Sequence, residues 1–154
     1  VEHGADVTIT EKDGMRPYSI VGEKGDMEMA EYFKNLEPAE YHDLQNKMDQ
    51  LKSFKLPKAL VLFLEGDNLY FELPDFDFIS IEFFPLINTI PFKVGRRNLL
   101  RLSKELGECN DWQIVWDLRS KKIGCYVIEH QVLRELCKFV EFIADMSGQL
   151  ETLF

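Results

Sequence analysis

Three histidines, a short run of carboxylates and a pair of arginines are the side chains in this sequence with chemistry to offer. Asp75, Asp77 and Glu82 lie among aromatic residues at Phe76, Phe78 and Phe83. Alternate strand positions share a face, so these carboxylates could work as a paired acid and base or meet a basic group. Arg96 and Arg97, with Arg101 nearby, could grip a phosphate or an acidic partner. His3, His42 and His130 stand apart, with no second His or Cys at ligand spacing, so no metal site is expected. Cys109, Cys125 and Cys137 form neither a Cys-x-x-Cys couple nor an even set for disulfides. Cys125 and Cys137 read as small core residues and Cys109 as a loop thiol. Glu65-Gly66-Asp67-Asn68 has too few ligands for a calcium loop. Gly-x-Ser-x-Gly, the Gly-Lys-Ser/Thr of phosphate loops and Gly-x-Gly-x-x-Gly are all absent. No catalytic residue and no cofactor are expected. The candidates for touching a partner are Asp75, Asp77, Glu82, Arg96 and Arg97.

Charge narrows the partner. A formal net charge of −9 repels nucleic acid and anionic membrane surfaces and draws in basic proteins. Hydrophobic residues at 45%, with 12 Phe among them, give enough apolar surface for a real core. The odd cysteine count points to a reducing compartment, hence the cytoplasm. No apolar run approaches the roughly 20 residues of a membrane span.

The elements that would position these side chains emerge from periodicity. Pro17 suits a first helical turn, Gly25 a left-handed stop, and a second helix is expected from Met27 to Asn35, with Met29, Ala30, Tyr32 and Phe33 facing inward. Glu37-Pro38 starts a helix with Tyr41, Leu44, Met48 and Leu51 on its buried side. Pro57 starts another, Lys58 to Glu65. The period then becomes two: Leu69, Phe71 and Leu73 share a strand face, and Ile79 to Phe83 alternates after a slip in phase. Asn98 is expected to cap a helix carrying Leu99, Leu102 and Leu106, stopped by Gly107. Trp112–Asp117 and Ile123–Ile128 read as a hairpin. A final helix is expected from His130 to Met146, with Leu133, Leu136, Val140 and Ile143 on one stripe. The sum is α+β, a mostly antiparallel sheet with helices packed on it.

Two resemblances sharpen this. Val1-Glu-His-Gly-Ala-Asp6, Asp13-Gly14, Pro17-Tyr18 and Gly25 in order resemble the end of an ankyrin array, so residues 1–36 read as its terminal capping repeat. Arg16-Pro17-Tyr18-Ser19 replaces the family's Thr-Pro-Leu-His and loses its stapling hydrogen bonds. About three repeats are needed for stability, so either further repeats precede Val1 or the unit packs on the domain C-terminal to it. In the second case Phe33 should be buried. Residues 38–149 hold the α+β domain. Lys55-Leu56-Pro57, Phe63-Leu64, Phe83-Phe84-Pro85-Leu86, the Trp112–Ile128 hairpin and Phe139 to Ile143 resemble the SUKH superfamily over residues 38–146. Its usual Asn-Gly-Gly is replaced by Glu65-Gly66-Asp67-Asn68. Trp116-Asp117 also suggests a propeller blade, but a lone Trp-Asp pair cannot supply four blades. Residues 150–154, part of Gln-Leu-Glu-Thr-Leu-Phe, resemble a cleavage linker.

The SUKH resemblance implies an immunity protein that binds and blocks a secreted toxin, many of which are basic nucleases. The alternative is an ankyrin scaffold or regulator whose α+β domain is a structural end-cap. A small hydrolase or nucleotide-binding enzyme, with a cleft near Asp75, Asp77 and Glu82, is the third possibility.

Overall fold

The computed structural model describes residues 4–75, 80–107 and 109–153. The chain is α+β, with N-terminal helices followed by a five-stranded antiparallel sheet and two C-terminal helices. The helices are α1 (Pro17–Glu23), α2 (Met27–Leu36), α3 (Leu44–Leu51), α4 (Lys58–Glu65), α5 (Phe139–Ala144) and α6 (Met146–Glu151). Strands β1 (Tyr70–Glu72) and β2 (Ser80–Glu82) pair as a short ribbon. Strands β3 (Ile90–Val94), β4 (Arg97–Leu106), β5 (Cys109–Asp117), β6 (Lys122–Val127) and β7 (Val132–Cys137) form a meander in chain order. Gly95, at φ 61, makes the tight β3–β4 turn, a position where a side chain would be strained.

The sheet has apolar residues on both faces. Leu100, Leu102, Ile114, Trp116, Ile123 and Cys125 point to one face and join Leu60 and Leu64 of α4 and Phe139 and Phe142 of α5 in the main core. Trp116 is anchored there by its indole N–H, which donates to the Phe54 carbonyl at 2.9 Å. Phe92, Leu99, Val115 and Tyr126 cluster on the opposite face. Met15, Ile20, Phe84 and Ile90 extend that apolar layer under α1.

Several expectations stand. Helix α4 spans Lys58–Glu65 as read, β5 and β6 make the Trp112–Ile128 hairpin, and Cys125 and Cys137 are buried core residues. Others are corrected. Residues 97–106 form a strand, not a helix capped by Asn98. Burial on both faces removes the alternation there: Leu99 to Ser103 are all buried, and Leu99, Leu102 and Leu106 mimic a helical stripe by chance. The single helix from His130 to Met146 is replaced by β7, α5 and α6. Leu133 packs with Tyr126 on one face while Leu136 and Cys137 both turn to the other, because the β6–β7 register shifts between Ile123 and Gly124. The helix after Pro38 is split into a 3-10 turn, Ala39–His42, and α3, with Asp43 capping α3 through the Gln45 N–H.

The N-terminal segment docks on the sheet, though not as expected. Phe33 is only half-buried, edge-on to Tyr32. Attachment runs instead through Met15, Ile20 and an ion pair between Glu23 and Arg101. Gly14 sits at φ 84 against β3, where a Cβ would fall 2.5 Å from the Pro91 carbonyl oxygen. Both the backbone and the space demand glycine there.

Candidate functional site

Helix α2 has an unusual balance for a ten-residue helix: Ala30 is its only buried residue. The local causes of the helix are clear. Gly25, at φ 78, turns the chain out of α1, and Asp26 caps α2 by accepting from the Met29 N–H at 3.0 Å. Met29, Tyr32 and Leu36 recur at helical spacing on one side, and all three are exposed, at 41%, 46% and 43%. Tyr41 and Leu44 carry the exposed apolar surface onward. Around it lie exposed Asp26, Glu28, Glu31, Glu40 and Asp43, with Lys34 the one exposed lysine in that stretch. The surface is therefore apolar with an acidic rim.

What holds this surface in place is a buried carboxylate. The side chain of Glu37 is fully buried. It accepts from Arg16 Nε at 2.8 Å and from His42 Nε2 at 3.1 Å. The His42 ring packs edge-on to Tyr18, with centroids 4.8 Å apart. The Arg16 guanidinium lies over Tyr18 and Tyr41 at 5.2 and 5.4 Å. Burial holds the His42 pKa below its ordinary value; the neighbouring Glu37 opposes this and Arg16 reinforces it. A neutral ring with Nε2–H can donate to Glu37 while Arg16 balances the carboxylate charge. The start of α1, the end of α2 and the following 3-10 turn are thus tied at one point.

The candidates named from sequence are not gathered at this point. Asp75 is exposed in a turn after β1, and Asp77 lies outside the described residues. Glu82 is exposed on β2 and pairs with Lys104 at 3.0 Å. Arg96 is exposed at the tip of the β3–β4 turn. Arg97 is engaged on both sides, by Asp117 at 2.6 Å and by Glu135. Asp117 also caps its own turn through Arg119 N–H and Ser120, so this cluster fastens β4, β5 and β7. Arg101 is buried. His3 lies outside the described residues, as does the side chain of Cys109; His130 is exposed in a turn. Among the described residues no three His, Cys, Asp or Glu side chains are placed to hold a metal. None of their helices is long and apolar enough to cross a membrane.

The second sheet face carries two shallow clefts of about 420 Å³ each. Glu11, Asp13, Glu23 and Glu105 line one of them beside Lys24, Arg101 and Lys104, so its charges nearly cancel. The Glu105 carboxyl is raised above its ordinary pKa by burial first and by Glu23 second. That cleft lacks the single-sign field that would select a charged partner.

Sequence reasoning placed Met29 and Tyr32 on the inner side of α2. The available counter-signal was a surplus: the short helix pair has more apolar residues than one thin interface can cover. No family model, no curated protein and no solved structure matches this chain.

Proposed function

We infer that this chain is a non-enzymatic protein-binding module that engages a basic partner through α2 and the turn after it. The observation that carries the reading is the exposed row Met29, Tyr32 and Leu36 within a rim of carboxylates. Exposed apolar side chains in a group, edged by charge, mark an interaction surface. The centre would supply affinity, and the acidic rim would steer a basic protein onto it. The overall charge of −9 acts in the same direction at longer range. An immunity role fits these features: an acidic binder that covers and blocks a basic toxin domain. The resemblance of residues 38–146 to the SUKH superfamily supports that role.

The test is titration calorimetry against a panel of basic toxin domains, at low and at physiological salt. Binding that weakens with salt, and that is lost in Tyr32→Lys with the fold intact, is the expected result. Absence of binding, or binding indifferent to both salt and Tyr32→Lys, would sink the reading.

A second reading has its own observation. The turn at Asp13-Gly14, followed by two short helices separated at Gly25, supports a reading as an ankyrin capping unit. In a scaffold, α2 would be covered by a preceding repeat and recognition would lie in the array. Affinity would then survive deletion of residues 38–149, provided the array is otherwise capped.

A further inference from the structure

Lys47 is a buried cation without a buried anion. The residue is 9% exposed on α3, and its Nζ donates to the Thr89 carbonyl. Among the described residues no carboxylate lies within ion-pair distance of it, although the chain carries 27 Asp and Glu against 18 Lys and Arg. Buried lysines are ordinarily paired, because removing an ammonium from water is expensive. The charge that does act on Lys47 is of the wrong sign: burial and then the Arg16 guanidinium bring its pKa down from 10.5 to about 8.

Both cations line the same cavity, about 210 Å³ in volume, between the N-terminal loop, α3 and the start of β3. Thr10, Tyr41, Asn46 and Gln50 also line it, and no Asp or Glu does. In so acidic a chain that lining is an exception. Donors remain free for a ligand. Arg16 uses only Nε on Glu37, leaving its terminal nitrogens without a hydrogen bond among the described residues. Lys47 donates one of its three hydrogens to Thr89, and Asn46 one of its two amide hydrogens to the Glu40 carbonyl. Neither Thr10 nor Gln50 makes a side-chain hydrogen bond among the described residues.

We propose that the cavity over Lys47 and Arg16 is a phosphate-binding site. A phosphate group supplies the missing negative charge and enough oxygens to accept from the lysine, the guanidinium and the neutral donors together. A carboxylate has two oxygens and satisfies fewer of these donors. The cavity borders the α2 surface, sharing Arg16 and Tyr41 with it, but its test reads phosphate and not a protein partner, so failure of one reading is distinguishable from failure of the other.

The experiment is a backbone-amide NMR titration of the whole chain with inorganic phosphate, with acetate as a second arm. Saturable shifts at Thr10, Asn46, Lys47 and Thr89 are expected with phosphate. Lys47→Met keeps the aliphatic stem and removes a charge that no protein anion needs, so it should fold and should weaken phosphate about tenfold or more. A second variant, Thr10→Val, leaves both cations in place and should weaken it less. No saturable shift with phosphate overturns the proposal. So does undiminished binding in a folded Lys47→Met, and so does acetate binding as tightly as phosphate.

Discussion

Arg101 and Glu23 meet across the junction between sheet and helices, the guanidinium 2% exposed and the carboxylate 17%. Arg101 reaches out from the middle of β4, donates from Nε to the Ser103 carbonyl at 2.8 Å, and lies over the Phe84 ring. The same Glu23 oxygen accepts from the Glu105 N–H at 3.1 Å. One carboxylate therefore secures both a buried cation and a backbone group exposed by the irregular register of β4. Removing it leaves both unpaired. Glu23→Ala should destabilise the protein by about 3 kcal/mol, measured by urea unfolding. The double variant Glu23→Ala with Arg101→Met should recover much of that loss. If the double variant is as unstable as the sum of the singles, the pair is not coupled.

Gly14 carries a second test of the same junction. Gly14→Ala should lower stability by at least about 1–3 kcal/mol, from the left-handed backbone alone. The approach to Pro91 and Ile90 adds a steric term, because β3 cannot withdraw without breaking its pairing with β4. An unchanged melting temperature would mean that the N-terminal loop is not seated on β3.

Lys47 makes stability depend on alkaline pH in a defined direction. Its folded pKa of about 8 lies below the 10.5 of the ordinary side chain, so the unfolded chain binds more protons between those values. Stability from this group therefore rises with pH across that window, and the penalty is complete below it. The full span corresponds to about 3 kcal/mol. Burial pushes the Cys137 thiol and the Tyr126 phenol upward, and both act in the opposite sense in alkali. The comparison with Lys47→Met isolates the lysine. Wild type should gain on the variant from pH 7 to pH 10.5, and parallel pH profiles would refute the assignment.

Gln113 offers a stabilising substitution. It is fully buried on β5, opposite Glu105 and Tyr126, and neither end of its amide has a hydrogen-bond partner among the described residues. An unsatisfied buried amide is costly, so Gln113→Leu should raise stability by about 1–2 kcal/mol. A loss of stability would show that the amide is satisfied in solution.

The parts of the fold legible in the sequence are those with one buried face or a clean boundary. Pro57 and Gly66 bracket α4, and the turn from Leu118 to Lys121 marks the β5–β6 hairpin even though Gln113 to Asp117 are buried on both faces of β5. In β4, burial on both faces erased the alternation, and in β7 a register shift did the same to Leu136 and Cys137. The site was harder. Glu37 read as part of a helix start, yet its partner Arg16 lies 21 positions away, a distance that no local pattern reports. Lys47 stands between the polar and apolar sides of α3, and only the fold reveals that the N-terminal loop closes over it. Met29 and Tyr32 have helical spacing, which marks one side of α2 but does not say whether anything covers it.

The order of the strands has a kinetic consequence. From β3 to β7 every pairing is a hairpin between chain neighbours, so the sheet can assemble by short loop closures. The bond between Glu23 and Arg101 spans 78 positions and becomes available only once β4 is in place. This topology predicts that helices α1 and α2 dock last and detach first. Under native conditions their amides should exchange with solvent well before those of β5 and β6, through an opening that leaves the sheet intact. The exposed row Met29, Tyr32 and Leu36 sits on that unit, so a partner of the kind proposed would meet a surface that can adjust without unfolding the core.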